Sequence, residues 1–139
     1  MKSSFHLKIS ALGALILAVL LAANACAEDI VVIVNPASDP LSKEQIADIY
    51  LARNSTRTPI DQAAGSSIYT EFYKRATGRD AAQVKAIWSK ILFTGRGVPP
   101  KQLLDSAAVK KAVAANPKAV GYIEKSAVDD SVKVVMPLS

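Results

Sequence analysis

The sequence predicts an α/β domain, a largely parallel sheet flanked by helices, and three observations carry that reading. Strand-type runs alternate with helical ones along the chain, which is the order of βα units. Ile30-Val31-Val32-Ile33-Val34 is an unbroken β-branched run, as expected of a strand buried on both faces in a parallel sheet. Two capping boxes, Ser42 to Gln45 and Asp80 to Gln83, each stand directly ahead of apolar residues at helical spacing.

The elements follow in order. Asn35-Pro36 ends the first strand, and a loop rich in Pro, Ser and Asp runs to Leu41. A helix starting at Ser42 then carries Ile46, Ala47, Ile49 and Tyr50, closed by Leu51. Steps of three and four give it one buried face. Arg53 to Thr58 is polar and turn-like, and Thr58 to Asp61 reads as a short second strand. Gln62 to Ser67 holds Gly65 and two serines, after which Ile68, Phe72, Tyr73 and Ala76 return to helical spacing as far as Gly78.

From the second capping box, Val84, Ile87, Trp88, Ile91 and Leu92 form the next helical stripe, broken by Gly95 and Gly97. Trp88, Phe93 and Tyr122 are expected in the core. Val98-Pro99-Pro100 makes an exposed, extended stretch. Asp105 or Ser106 caps a further helix with Val109, Ala112 and Val113, stopped by Asn116-Pro117. Ala119 to Ile123 and the alternating Val132 to Met136 are the last two strands.

The first residues set the compartment. Lys2 and Lys8 precede an apolar run from Ile9 to Ala23, and Ala25-Cys26-Ala27 has the small-residue form of a cleavage site. That order is a secretory signal peptide, residues 1–27. The run is shorter than the roughly 20 residues of a spanning helix. A lipoprotein signal also ends in cysteine, but it asks for a larger aliphatic residue where Ala23 stands, and Asn24 fits it poorly. Cleavage after Ala27 leaves residues 28–139, one domain by length. Lys2 and Lys8 are two of the chain's 17 basic residues; without them 15 face 12 acidic ones, a net charge of about +3. That is too weak and scattered for a nucleic-acid footprint, though it mildly favours small anions.

The only histidine, His6, and the only cysteine, Cys26, both fall in the leader. The exported part therefore offers no His/Cys metal site, no serine or cysteine nucleophile with a histidine base, and no disulfide. No cofactor or enzymatic activity is expected. Carboxylate chemistry stays open, but Asp129-Asp130 with Glu124 reads as a solvated turn before the last strand. Lys74, Arg75 and Arg79 at the end of the Ile68 helix are accounted for by the helix dipole.

Gly65-Ser66-Ser67 is the candidate site. A strand that turns through small residues into a helix presents amides with no intrahelical acceptor, and the helix dipole adds positive potential. Ser66, Ser67 and the amide of Ile68 are the candidate anion ligands; plain N-capping by Ser67 is the simpler reading of the same residues. Thr94-Gly95-Arg96-Gly97 is a second small-residue loop, and Arg96 is the candidate charge partner.

Three stretches resemble the phosphate-binding proteins of ABC importers. Leu41 to Tyr50 is similar to their "leucine, polar, x, x, x, leucine, x, x, isoleucine, aromatic" helix. Gly65-Ser66-Ser67 resembles their Gly-Ser-Gly-Thr phosphate turn, with Phe72 matching an aromatic on the following helix. Ala119-Val120-Gly121-Tyr122-Ile123 resembles their "alanine, isoleucine, glycine, tyrosine, valine" strand. The resemblance runs from Asp29 to Val135 and covers the second lobe only. It implies a single lobe of periplasmic-binding-protein type, a periplasmic location, phosphate or a similar oxyanion as ligand, and an ABC transporter permease or envelope protein as partner. Ser66 corresponds to a ligand serine of the turn. Ser67 stands where the family has its second glycine, Ile68 where it has threonine, and Gln62 about where an arginine precedes the turn. The bidentate arginine contact is thereby lost. A lone lobe closes such a site only by forming a homodimer or meeting a partner. The competing expectation is an envelope interaction module that has kept the lobe and lost the ligand.

Overall fold

The computed structural model describes residues 29–139; the expected leader, its expected cleavage site and Cys26 lie outside the described residues. β1 (Ile30–Val34) is buried along its whole length, as its β-branched run demands. Ile30, Val32 and Val34 point into one apolar cluster and Val31 and Ile33 into another. Burial on both faces here comes from helices on both sides and not from strand direction. β1 pairs antiparallel with β4 (Ala119–Glu124) and with β5 (Lys133–Leu138), which corrects its expected parallel setting.

The sheet has five strands in the order β3-β2-β4-β1-β5. β2 (Thr58–Gln62) lies parallel to β3 (Lys101–Leu103) and to β4. Four strands therefore share one direction and β1 alone opposes them. β3 is an edge strand of three residues that its sequence does not announce. It carries no β-branched residue and follows two prolines, so only its pairing with Ile60 to Gln62 defines it.

α1 (Lys43–Tyr50) and α3 (Ala81–Phe93) begin at complete capping boxes on Ser42 and Asp80. α2 (Ser67–Thr77) ends at Gly78 in the left-handed region, φ 71°. α4 (Ser106–Ala115) is capped by Asp105, whose side chain accepts from the Ala108 amide. α1, α2 and α3 cover one face of the sheet around Tyr50, Phe72, Tyr73 and Trp88. α4 covers the other through Val109 and Val113.

Trp88 and Tyr122 are buried as expected, but Phe93 is 92% exposed. Five residues beyond Trp88, it is rotated about 140° around the helix and faces away from the core. Among the described residues no helix is long and apolar enough to cross a membrane.

Candidate functional site

β2 delivers the chain to the Gly-Ser turn, and the turn starts α2. Ser66, one residue earlier than the simple capping reading, is the N-cap, with extended backbone at φ −83° and ψ 152°. Its Oγ accepts from the Tyr69 amide at 3.3 Å and donates to the Ala63 carbonyl at 2.6 Å. The Thr70 amide reaches the Ser66 carbonyl at 3.3 Å. The amides of Ser67 and Ile68 come before the first residue that an intrahelical acceptor can serve. Gly65 and Ser67 are exposed, and Ser66 and Ile68 are half-buried. A Cβ on Gly65 would meet nothing within 4 Å, so the turn opens to solvent. The structure thus gathers Gly65, Ser66, Ser67 and Ile68 at one helix N-terminus.

The Ser66 hydroxyl has one proton, and Ala63 holds it. An anion would take that proton only by displacing the Ala63 carbonyl, whereas the two amides are available as they stand.

Arg96 is not brought to this turn. It lines a cavity of about 570 Å³ with Arg57, Thr58 and Pro59, at the start of β2, whereas the turn follows the strand's end. Five residues of strand separate the two ends by about 13 Å. Gln62, where the resemblance places an arginine, is buried and does not point to a ligand. Its amide donates to Ser106 Oγ at 2.8 Å and to the Tyr122 carbonyl at 3.0 Å. Ser106 Oγ in turn donates to the Glu124 carboxylate in a very short contact. This relay ties β2 to the start of α4 and the end of β4.

A second cavity, of about 470 Å³, opens beside the turn between α2, α3 and β3. Ala64, Tyr69, Lys85, Trp88 and Gln102 contribute to its wall, and Asp61 lies at its base. Gln102 Oε1 accepts from the Ala64 amide at 3.3 Å and steadies the turn from β3. Asp61, which the sequence presents only as a strand residue, is the most unusual group here. It is 2% exposed, and its carboxylate accepts from the Tyr73 hydroxyl at 2.8 Å and the Tyr122 hydroxyl at 2.9 Å. Burial pushes its carboxyl up to about 7, against the pull of the two hydroxyls. Burial, and then the charge of Asp61, drives the Tyr50, Tyr73 and Tyr122 hydroxyls far above their ordinary range. The rings pack tightly: Phe72 stacks on Tyr122 at 3.7 Å between centroids, and Tyr50 meets Phe72 edge-on at 4.7 Å. Alternation along β2 sets Asp61 on the face opposite Ile60, and no local pattern reveals that this face is buried too or that tyrosines from α2 and β4 meet it there.

No protein-family model matches the chain, and no curated protein sequence matches it. Solved structures do. An ABC-type phosphate transport receptor from Vibrio cholerae superposes with a TM-score of 0.59 at 20% identity, over 78% of this chain and 46% of that one. A protein assigned as a phosphate ABC transporter substrate-binding protein, solved with bound phosphate from Clostridium perfringens, gives 0.62 at 24% identity, over 78% and 44%. PstS from Borrelia burgdorferi gives 0.53 at 13%, over 78% and 46%. The chain spans less than half the length of each. With a mixed five-stranded sheet, helices on both faces and a strand-turn-helix at Ser66, its fold is that of part of a phosphate ABC-transport substrate-binding protein.

Proposed function

We propose that this chain is a periplasmic binding-protein lobe, exported through residues 1–27, that takes phosphate or a similar small oxyanion at the start of α2. The observation that carries this reading is the open turn after β2, where the Ser67 and Ile68 amides stand beside a Ser66 cap. Gly65, Ser66, Ser67 and Ile68 are its ligand residues, and the helix dipole supplies the positive potential. The fold shared with proteins described as phosphate receptors supports it. With Gln62 committed to Ser106 and Arg96 at the far end of β2, the turn holds the anion without an arginine. A second copy, a transporter permease or another envelope protein then completes the cleft.

The test is thermal unfolding with phosphate and, as control, sulfate. Ligand at a hundred times its Kd stabilises by about 2.7 kcal/mol, or roughly 10 °C for a domain of this size. Ser67→Asp is the informative variant. A carboxylate there suits the helix N-terminus but repels an anion, so the folded state should persist while the phosphate shift disappears. No shift at tens of millimolar phosphate would overturn the reading.

One observation favours the competing interaction module. Leu104 is 83% exposed and sits at the end of β3, on the same edge as the turn, while Leu92 beside the Asp61 cavity is 53% exposed. Exposed apolar groups at a cleft edge suit a protein partner. A ligand-independent complex with an envelope protein, lost in Leu104→Glu at unchanged thermal stability, would decide for it.

A further inference from the structure

The larger cavity, at the start of β2, carries an unassigned concentration of positive charge. Arg53, Arg57, Arg96 and Lys101 all line it, and no carboxylate among the described residues does. Three pieces of chain deliver them: the loop between α1 and β2, the glycine loop after α3, and β3. Ala52, in the left-handed region at φ 64°, turns the chain out of α1, and the Arg53 amide closes back on the Asp48 carbonyl at 2.8 Å. Arg57 comes from the loop before β2, its Nη2 donating to the Asp39 carbonyl at 3.2 Å. Arg96 is held in the glycine loop after α3, where its amide reaches the Ile91 carbonyl at 3.1 Å. Lys101 opens β3. The rest of the wall is largely apolar, with Ile49, Trp88, Ile91 and Pro99.

One donor of this cluster is left unmet. Arg57 Nη1 is buried and has no hydrogen-bond partner. A buried, unmet guanidinium donor is costly, and native structures seldom keep one without a reason. Among the described residues, the only countercharge paired with the four is Asp48, 3.6 Å from Arg53 in an exposed contact of little energetic weight.

We infer that this cavity is a binding site for a small organic anion, with an oxyanion head, carboxylate or phosphate ester, on an apolar or aromatic body. The head pairs with Arg57 and Arg96, which both line the cavity, since a guanidinium matches either oxyanion through paired donors. The body covers Trp88 and Pro99. At about 570 Å³ the cavity has the size of a small-molecule site. It shares no residue with the Ser66 turn and stands whether or not the turn binds phosphate.

Trp88, the only tryptophan of the chain, lines the cavity and reports on it. The purified protein is titrated with phenyl phosphate and with benzoate while its fluorescence is followed, with benzylammonium as the cationic control. The expected result is a saturable change with at least one aryl anion and none with benzylammonium. Arg57→Gln and Arg96→Gln should each weaken binding about tenfold or more. Arg96 is exposed, so its replacement leaves the fold intact even where that of Arg57 does not. Ser67→Asp should leave the titration unchanged, which separates this site from the turn. The inference is overturned by no saturable change up to about 10 mM of either anion. It is equally overturned by a response that survives both arginine substitutions, or by one lost on Lys85→Gln in the neighbouring cavity.

Discussion

The Tyr122 hydroxyl donates to the Asp61 carboxylate at 2.9 Å, joining β4 to β2 beneath the α2 turn. Tyr73 of α2 donates to the same carboxylate, and Tyr50 and Tyr69 add to the buried surroundings. Burial holds the Asp61 carboxyl near 7, above its unfolded value of 3.8. The folded state therefore keeps a proton that the unfolded chain releases. That stabilisation is fully present below pH 3.8 and is lost as pH rises through about 7. Over the window it amounts to roughly 4 kcal/mol at most. The melting temperature should fall between pH 5 and 8 in the wild type, and Asp61→Asn should flatten that slope. A parallel slope in the variant would show that other groups set the pH response.

Gly121 faces Val109 so closely that a Cβ there would lie 2.6 Å from Val109 Cγ1 and 3.0 Å from Val113 Cγ2. Gly121→Ala should cost about 1–3 kcal/mol, because α4 would have to lift from the sheet. Val109→Ala costs stability alone, yet it should relieve part of the penalty in the double variant. Denaturant unfolding of the four proteins measures the coupling.

Ser66→Ala removes the α2 cap. Chemical denaturation should show a loss of about 1 kcal/mol, and Ser66→Asp, which keeps an acceptor at the cap, should recover it. Phosphate binding by Ser66→Ala must be read against that loss, which is why Ser67 is the cleaner probe of the ligand.

Ala52 holds a left-handed backbone at φ 64°, in the place where helices commonly carry glycine. Ala52→Gly should raise stability by up to about 1 kcal/mol, since the strain of Cβ in this region exceeds the extra freedom glycine gives the unfolded chain. An unchanged or lower denaturation midpoint would refute this.

Much of the fold was legible because its signals are local. The Ser42 and Asp80 boxes start α1 and α3 where expected, and Gly78 ends α2. The cap of α2 falls on Ser66, one residue before the expected Ser67, because two adjacent serines ahead of an apolar helical repeat offer the same capping chemistry. Phe93 departs from its expected core place for a local reason: it is apolar, but its phase on α3 opposes Trp88. The short β3 and the antiparallel setting of β1 were hidden, because pairing partners lie elsewhere in the chain.

By itself, then, the sequence determined the four helices and four of the five strands among the described residues, most of their boundaries to within a residue or two, and that a serine turn follows β2. Hydrophobic period and capping chemistry act over a few residues and need no distant partner. Only the tertiary structure decided that Asp61 meets Tyr73 and Tyr122, that Gln62 turns away to Ser106, and that Arg96 joins Arg57 and not Ser66. Those outcomes depend on strand order and on how helices cross the sheet, which bring together side chains tens of residues apart. The electrostatics of each site follow from that assembly, because burial and neighbours set the charge a residue carries.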